Sequence, residues 1–549
     1  MNIWLKRILI GAVVLMLAIA GAAIAFVATF NPDVYVLHLQ NIIQQRYNRT
    51  LEVNGPVKVS LLPEVVLSAK DVSLSQEGSA QVMLSMDTIK LAIKPWPLIK
   101  KELAVNYALI KGLEIGDVSL YEAVINADRI VYGDAFDISN LHIIASGKVG
   151  DFEANEIAVS TSALLDQDSQ TVSLRETGLA VKGGIASNIK GIDIQIALPN
   201  IETSTDADFS SVKTIAGLLS HEPVSFNAFV ESIVIDDAVT SVSKPISEKP
   251  SVETKKDDTH TNAFNQLISP FLAMSKAKGS VSVKSLKINS LSMDNLNSEV
   301  NVNDGKIDIT PINAQFADGR LNGSLTIDSH ENARLNLRLQ DVDVGLIAVS
   351  MANENRIKGR GNVDADLSFT GLEGKRIIKS LTGKADLSVK DGVWYGIDLD
   401  QTMDQLRDTV KDIRHLRLPP FVSSDDSTLS THFESLQANL SVKRGMASLD
   451  RLNIDSGRIT VKEHKSSRID LVNQSVDVKV LVRKKGRDGS NKTDISRLQG
   501  INVPLRLKGP FGSLSYSVEL QGIAESTLKE ALKGDSIKEL GKSLKGLFK

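Results

Sequence analysis

Eight histidines are the first residues to weigh for chemistry, and their spacing argues against a metal centre. His38, His142, His221, His260, His330, His415, His432 and His464 form no H-x-H, H-x₃-H or H-E-x-x-H pair. No local pattern therefore sets two imidazoles on one face. His415 lies in a helical stretch before Pro419 and reads as a surface or half-buried side chain. Acidic pairs such as Asp364/Asp366, Asp398/Asp400 and Asp425/Asp426 are the next candidates, since carboxylates two apart on a strand share a face and could hold Ca²⁺. Asp364 and Asp366, however, alternate with Val363, Ala365 and Leu367, which is the pattern of a solvated outer face. No G-x-S-x-G nucleophile elbow occurs. Gly541-Lys542-Ser543 matches the end of a phosphate-binding loop, but Ser536 stands where its first Gly is needed. Gly359-Arg360-Gly361 lacks the third Gly of a dinucleotide fingerprint and opens a strand. Asn48-Arg49-Thr50 is a formal glycosylation sequon of no evident use. The absence of Cys removes disulfides, thiolate nucleophiles and Cys-based metal sites together. The expectation is a protein that is not an enzyme, with no cofactor and no metal.

The elements that would position any other function are of two kinds. The first is an anchor. Lys6 and Arg7 precede an uncharged run from Ile8 to Phe30, long enough to span about 30 Å of hydrocarbon as a helix. The positive-inside rule leaves residues 1–7 in the cytosol and sends the rest across. Ala18, Ala20, Ala23 and Ala25 also offer sites for signal-peptide cleavage, but the run exceeds the usual 7–15 residue core of such a peptide. The reading adopted is an uncleaved single-pass anchor over 8–30, which in a bacterium is an inner-membrane anchor with the bulk in the periplasm. Asn31-Pro32 then starts a helical pattern through Val36, Leu39, Ile43 and Tyr47. It either packs on the first strands or lies at the membrane surface.

The second kind is the β-strand. From about residue 51 the period is two: Ile192, Ile194, Ile196 and Leu198; Leu335, Leu337 and Leu339; Val363, Ala365, Leu367 and Phe369; Val503, Leu505 and Leu507. Asp304-Gly305, Asp318-Gly319, Asp391-Gly392 and Asp488-Gly489 supply turn signals. The 549 residues carry 23% charge, 5% aromatics and a net charge of −3, which points away from nucleic acid. Helical patterns are few: Gln401 to Leu418 with Met403, Leu406, Val410 and Ile413 on one stripe, stopped by Pro419-Pro420; a shorter one over 210–220; and the basic amphipathic end from Glu525. The predicted organisation is a β-rich region over 31–241, a Pro-, Lys- and Thr-rich linker or loop over 242–262, a second β-rich region over 263–520 and an amphipathic helix over 521–549.

Three or four helices cannot cover the apolar faces of some twenty-five strands. Val476, Val478, Val480 and Val482 alternate with Ser475, Asp477, Lys479 and Leu481. Leaving such a face in water costs roughly 25 cal/mol per Å². The remedies are a two-sheet sandwich, a closed barrel, or a trough whose lining meets apolar ligands. An outer-membrane barrel fits poorly with the anchor and the missing aromatic girdles. Sandwich and trough stay open on periodicity alone.

The phrases 55-GPVKVSLLPEVVLSAKDVSLS-75, 316-FADGRLNGSLTID-328, 357-IKGRGNVDADLSFTG-371, 381-LTGKADLSVKDGVWYGIDLDQTM-403, 431-THFESLQANLSVKRGMASLDRLNID-455 and 502-NVPLRLKGPFGSLSYSVEL-520, following the anchor, resemble the AsmA family. So does 89-IKLAIKPWPLIKKELAVNYALIKGLEI-115, with Pro97-Leu98-Ile99 at its corner. Residues from about 120 to 260 match none of its phrases. The resemblance implies a mainly β fold, an elongated, curled antiparallel sheet after a transmembrane helix, in a bacterial inner-membrane protein of outer-membrane biogenesis. It implies phospholipid as a partner, bound or conveyed along a hydrophobic groove, with Val363, Leu367, Leu387, Val389, Val476, Val478, Val480, Val482, Val503, Leu505 and Leu507 facing lipid. The alternative within the family is an assembly or scaffold factor for outer-membrane proteins, with polypeptide partners.

Overall fold

A computed structural model describes residues 49–60, 65–76, 82–93, 105–116, 118–132, 135–166, 171–185, 188–204, 223–235, 276–288, 291–352, 356–372, 374–411, 429–464, 467–485, 499–511 and 514–518, with helical positions 36, 37, 40, 41, 44 and 45. The anchor at 8–30, the stretch 210–220, the linker at 242–262 and the C-terminal segment at 521–549 lie outside the described residues. Of the first helix, Gln40 is described and donates from Nε2 to the carbonyl of Leu51 at 3.0 Å. The chain divides into two compact units, one of Met1–Glu231 with Met274–Gly279, the other of Ser232–Ala273 with Ser280–Lys549.

The fold is mainly β, and the described strands pair antiparallel. The first unit holds β1 (Arg49–Val53), β2 (Lys58–Ser60), β3 (Val65–Gln76), β4 (Val82–Ile93), β5 (Val105–Ile115), β6 (Val118–Tyr132), β7 (Ala135–Val149), β8 (Phe152–Asp166), β9 (Thr171–Ile185), β10 (Ile189–Ala197) and β11 (Ile201–Ser204). From β3 to β10 each strand pairs with the next. β1 and β2 are successive pieces along β3, and β10 and β11 along β9. Strands β12 (Val224–Ile235) and β13 (Lys276–Ile288) straddle the division.

The second unit continues with β14 (Leu291–Asn303), β15 (Lys306–Phe316), β16 (Gly319–Ile327), β17 (Asn332–Asp343), β18 (Ile357–Thr370), β19 (Thr382–Tyr395), β20 (Ser430–Lys443) and β21 (Met446–Asp455). β22 (Ile459–Glu463) and β23 (Arg468–Asp470) are two pieces of one position between β21 and β24 (Ser475–Lys484). β25 (Asn502–Pro510) and β26 (Ser515–Val518) follow. Short helices are inserted between strands: α1 (Val344–Ala352), α2 (Gly374–Ser380) and α3 (Leu399–Lys411). Asp343 Oδ1 accepts the N–H of Gly345 at 2.8 Å and starts α1. Asp398 Oδ1 accepts that of Gln401 at 2.9 Å and starts α3. These are N-cap bonds that satisfy otherwise orphaned donors. The expected helix from Gln401 is α3. The pattern did not reveal α1 and α2.

Of the four turn expectations one needs correcting, and Asp488-Gly489 lies outside the described residues. Asp304-Gly305, with φ of 47° and 75°, closes β14 on β15 as expected of a primed turn. Asp391-Gly392 does not turn the chain. β19 runs through it to Tyr395, and the register against β18 slips there, between Lys358 and Arg360. Asp391, at φ 47°, is a bulge residue, because Asp and Asn tolerate the left-handed region that other side chains avoid. The device recurs. Register slips fall beside Asn140, Glu176, Asn295 and Asp341, whose φ values are all 52°. Each bulge inserts one residue, sharpens the local twist and shifts the alternation by one position. After Leu335, Leu337 and Leu339, the next apolar-face residue of β17 is therefore Val342.

Gly383 fixes another close approach. Its φ is 148°, and a Cβ there would lie 2.1 Å from the carbonyl oxygen of Asp366 on β18. Gly383→Ala is expected to cost about 2–4 kcal/mol, from backbone strain plus the clash. Urea unfolding checks this, and a loss below about 1 kcal/mol would show that β18 yields.

Candidate functional site

Antiparallel pairing places residues side by side in rows that run across the strands, and here apolar pairs with apolar. In the first unit one row is Leu67, Leu91, Ala108, Ile125, Ile143, Val159, Leu179 and Ile196, from β3 to β10 in order. The adjacent row on the same face is Ala69, Ile89, Ile110, Ala123, Ala145, Ile157, Val181 and Ile194. Seven spacings of about 4.8 Å carry each row across roughly 34 Å. Except for Ala123 and Ala145, these side chains are half-buried or exposed. One polar pair interrupts the face: Thr161 and Thr177 share a hydroxyl hydrogen bond of 2.7 Å.

The second unit repeats the arrangement. One row reads Val300, Ile309, Leu325, Leu335, Leu367, Gly383, Val442, Ala447, Ile469 and Val476. Beside it stand Leu337, Ala365, Ala385, Leu440 and Leu449. The opposite face is polar. Arg338 Nε meets Asp364 at 2.6 Å, Asn439 donates to Asp386, and Arg506 grips Asp477 through Nε at 2.6 Å and a terminal nitrogen at 2.5 Å. The polar partners of the alternation thus satisfy one another on the outside. Asp364 and Asp366, weighed above as calcium ligands, face that outside, and Asp364 is taken by Arg338. No group of three or more potential metal ligands occurs among the described residues.

The apolar face of the second unit differs along the strands. Toward one end α3 lies over it. Met403 and Leu406 of α3, with Leu399, pack on the row Val389, Leu436, Ile454, Val461, Val482 and Val503, all buried. The gap left among Trp394, Ile397, Leu399, Val480, Val482, Leu505 and Leu507 is about 10 Å³, room for about one water. A second cluster, of Ala314, Leu321, Leu339 and Val342, is joined by Ile347 of α1. Between and beyond these clusters Leu325, Leu335, Leu367, Leu440, Ile469 and Val476 are only half-buried, while Leu337 rests against the second cluster and Leu449 against the first.

This separates the residues named from the sequence into two groups. Val389, Val480, Val482, Val503, Leu505 and Leu507 belong to the packed core beneath α3. Val363, Leu367, Leu387, Val476 and Val478 are half-buried. Of these, Leu387 and Val478 rest against that core, Val363 rests against the second cluster, and Leu367 and Val476 stand in the open row. Alternation reveals which face is apolar but not what lies over it. The rows of the first unit were not singled out from sequence. Their signal was available in the alternation of Ile143 and Ala145, Ile157 and Val159, and Leu179 and Val181.

Asp477 is held below the ordinary carboxylate range, first by the hydrogen bonds from Arg506, with burial opposing and the charges of Arg506, Lys508 and Lys479 assisting. Because its folded pKa is depressed, its stabilisation is present above the unfolded value near 3.9 and is lost as pH falls through the folded value. Both side chains are about one-third exposed, so screening keeps the contribution small. Asp477→Asn is expected to lose about 0.5–1 kcal/mol at pH 7, and less as the pH drops below 4. A constant deficit at every pH would place the loss in packing instead.

Membership follows from comparison. The AsmA family model matches residues 1–235 and, in a second segment, 160–452, and the chain belongs to the AsmA family. The match takes in the span 120–235, where no family phrase was legible. Protein AsmA of Escherichia coli (strain K12) is similar to this chain, 19% identical over 603 aligned residues that cover 96% of each protein. No solved structure matches. Among the described residues no helix is long and apolar enough to cross a membrane.

The two parts of the face should respond differently to charge. Val482→Asp places an unpaired carboxylate in a core position 1% exposed and is expected to destabilise by about 3–5 kcal/mol. Leu367→Asp, in the open row, should cost about 1 kcal/mol because water reaches it. Paired urea titrations decide, and equal losses would mean the open row is covered as well.

Proposed function

We propose that the protein is a non-enzymatic component of the bacterial envelope, anchored in the inner membrane through residues 8–30 with its bulk in the periplasm, and that it serves outer-membrane biogenesis by binding or conveying phospholipid along its apolar sheet faces. The supporting observation is the pair of uninterrupted rows in the first unit and, in the second, the row in which Leu325, Leu335, Leu367, Ile469 and Val476 are half-buried. Fully burying a Leu, Ile or Val gains about 1.5–3 kcal/mol. A dozen such side chains left half in water forgo about 10 kcal/mol, as much as the stability of an ordinary domain. Acyl chains would recover that sum without any directional contact, and neighbouring rows about 6.6 Å apart suit their width. Family membership supports the envelope setting.

The second reading, an assembly or scaffold factor for outer-membrane proteins, is favoured by the close packing under α3. Photo-crosslinking in living cells separates the two. A photoreactive residue at Leu367, Val476, Ile143 or Val159 should capture phospholipid, while Lys384 and Arg468 on the polar face should not. Polypeptide adducts at the first four positions, with no lipid, would favour the scaffold.

A further inference from the structure

We propose that α3 is a displaceable flap over the apolar face of the second unit, latched by Lys484. Tyr395 at the end of β19 and Ser430 at the start of β20 are direct register partners. The chain between them therefore leaves the sheet and returns to the same place. Moving α3 away breaks no rung of the β19–β20 ladder. The hinge is marked by Gly396, at φ 91°, whose N–H donates to Leu429 O at 2.8 Å and closes the excursion at its base. Left-handed backbone of this kind is open to Gly with little strain.

Among the described residues the hinge end is tied by Thr431, whose Oγ1 donates to the carbonyl of Ile397 at 2.7 Å and accepts the N–H of Leu399 at 3.0 Å, and by Tyr516, whose hydroxyl donates to the carbonyl of Gly396. Leu399, Met403 and Leu406 are the buried apolar anchors of the flap. Lys484, at the end of β24, reaches Asp404 at 2.8 Å and Asp400 at 3.5 Å, one turn apart on the outer flank of α3. Lys484 follows Val480 and Val482 at the same two-residue interval, so the latch sits on the apolar face at the border of the rows it closes. The two carboxylates are 38% and 46% exposed, and water is ready to take them when the pair separates. This inference rests on the reading of the face as a binding surface, because a flap has a purpose only if its floor takes a ligand. Its own mechanics do not depend on that reading.

The lack of Cys in the chain makes thiol labelling a clean probe. Val482→Cys places a thiol on the floor, and Ile327→Cys one in a buried position of the same unit away from α3. In the full chain, the Val482→Cys thiol should react with a maleimide faster than the Ile327→Cys thiol. Adding Asp400→Asn and Asp404→Asn should raise its rate about fivefold, the scale of one lost ion pair, and leave the Ile327→Cys rate unchanged. Equal acceleration at both thiols would show general loosening, and no acceleration at Val482→Cys would show that the latch holds nothing; either result overturns the flap. Failure of lipid capture at Leu367 and Val476, with the labelling pattern intact, would overturn the lipid reading and leave the flap standing.

Discussion

The structure depends on register. Each strand carries an apolar and a polar side, and a slip of one residue would turn the whole apolar side outward. Pairing holds Ile125 beside Ile143 and Val159 beside Leu179, and in the second unit Leu335 beside Leu367. Hydrophobic burial between neighbours and ion pairs on the far side both reward the same register. Arg338 with Asp364 and Arg506 with Asp477 are worth little singly, but they form only in that register. Once the rows exist, a broad apolar surface follows, and the rest of the molecule has to deal with it.

It does so unevenly. In the second unit helices inserted at strand ends cover part of the face. α3 brings Leu399, Met403 and Leu406 onto Val389, Val461 and Val482, and α1 brings Ile347 onto Leu339 and Val342. The middle of the face keeps Leu325, Leu367 and Val476 half in water. Among the described residues, short helices cover part of the second unit's face and leave Leu325, Leu335, Leu367 and Val476 half-buried. This is the physical ground for assigning the open stretches to a ligand, and the covered ones to stability while α3 is closed over them.

Much of this was legible in the sequence. Alternation identified β10, β18, β24 and β25, the Asp304-Gly305 turn and the helix from Gln401, and the family phrases pointed to the right family. Other features were hidden for definite reasons. A bulge shifts the alternation by one, so Leu339 and Val342 do not look like members of one face. Asp391-Gly392 has turn chemistry but acts within a strand, because positive φ serves bulges as well as turns. The grouping of Val480 and Leu505 apart from Leu367 and Val476 depends on α3 lying over one end, a tertiary fact that periodicity along a strand does not carry.

The most direct measurement is the phospholipid content of the purified full-length protein. The account predicts bound phospholipid in the parent and its loss in a Leu335→Asp/Leu367→Asp variant that still melts cooperatively. A parent free of phospholipid, or a variant that keeps all of it, would contradict the claim that the open rows hold acyl chains.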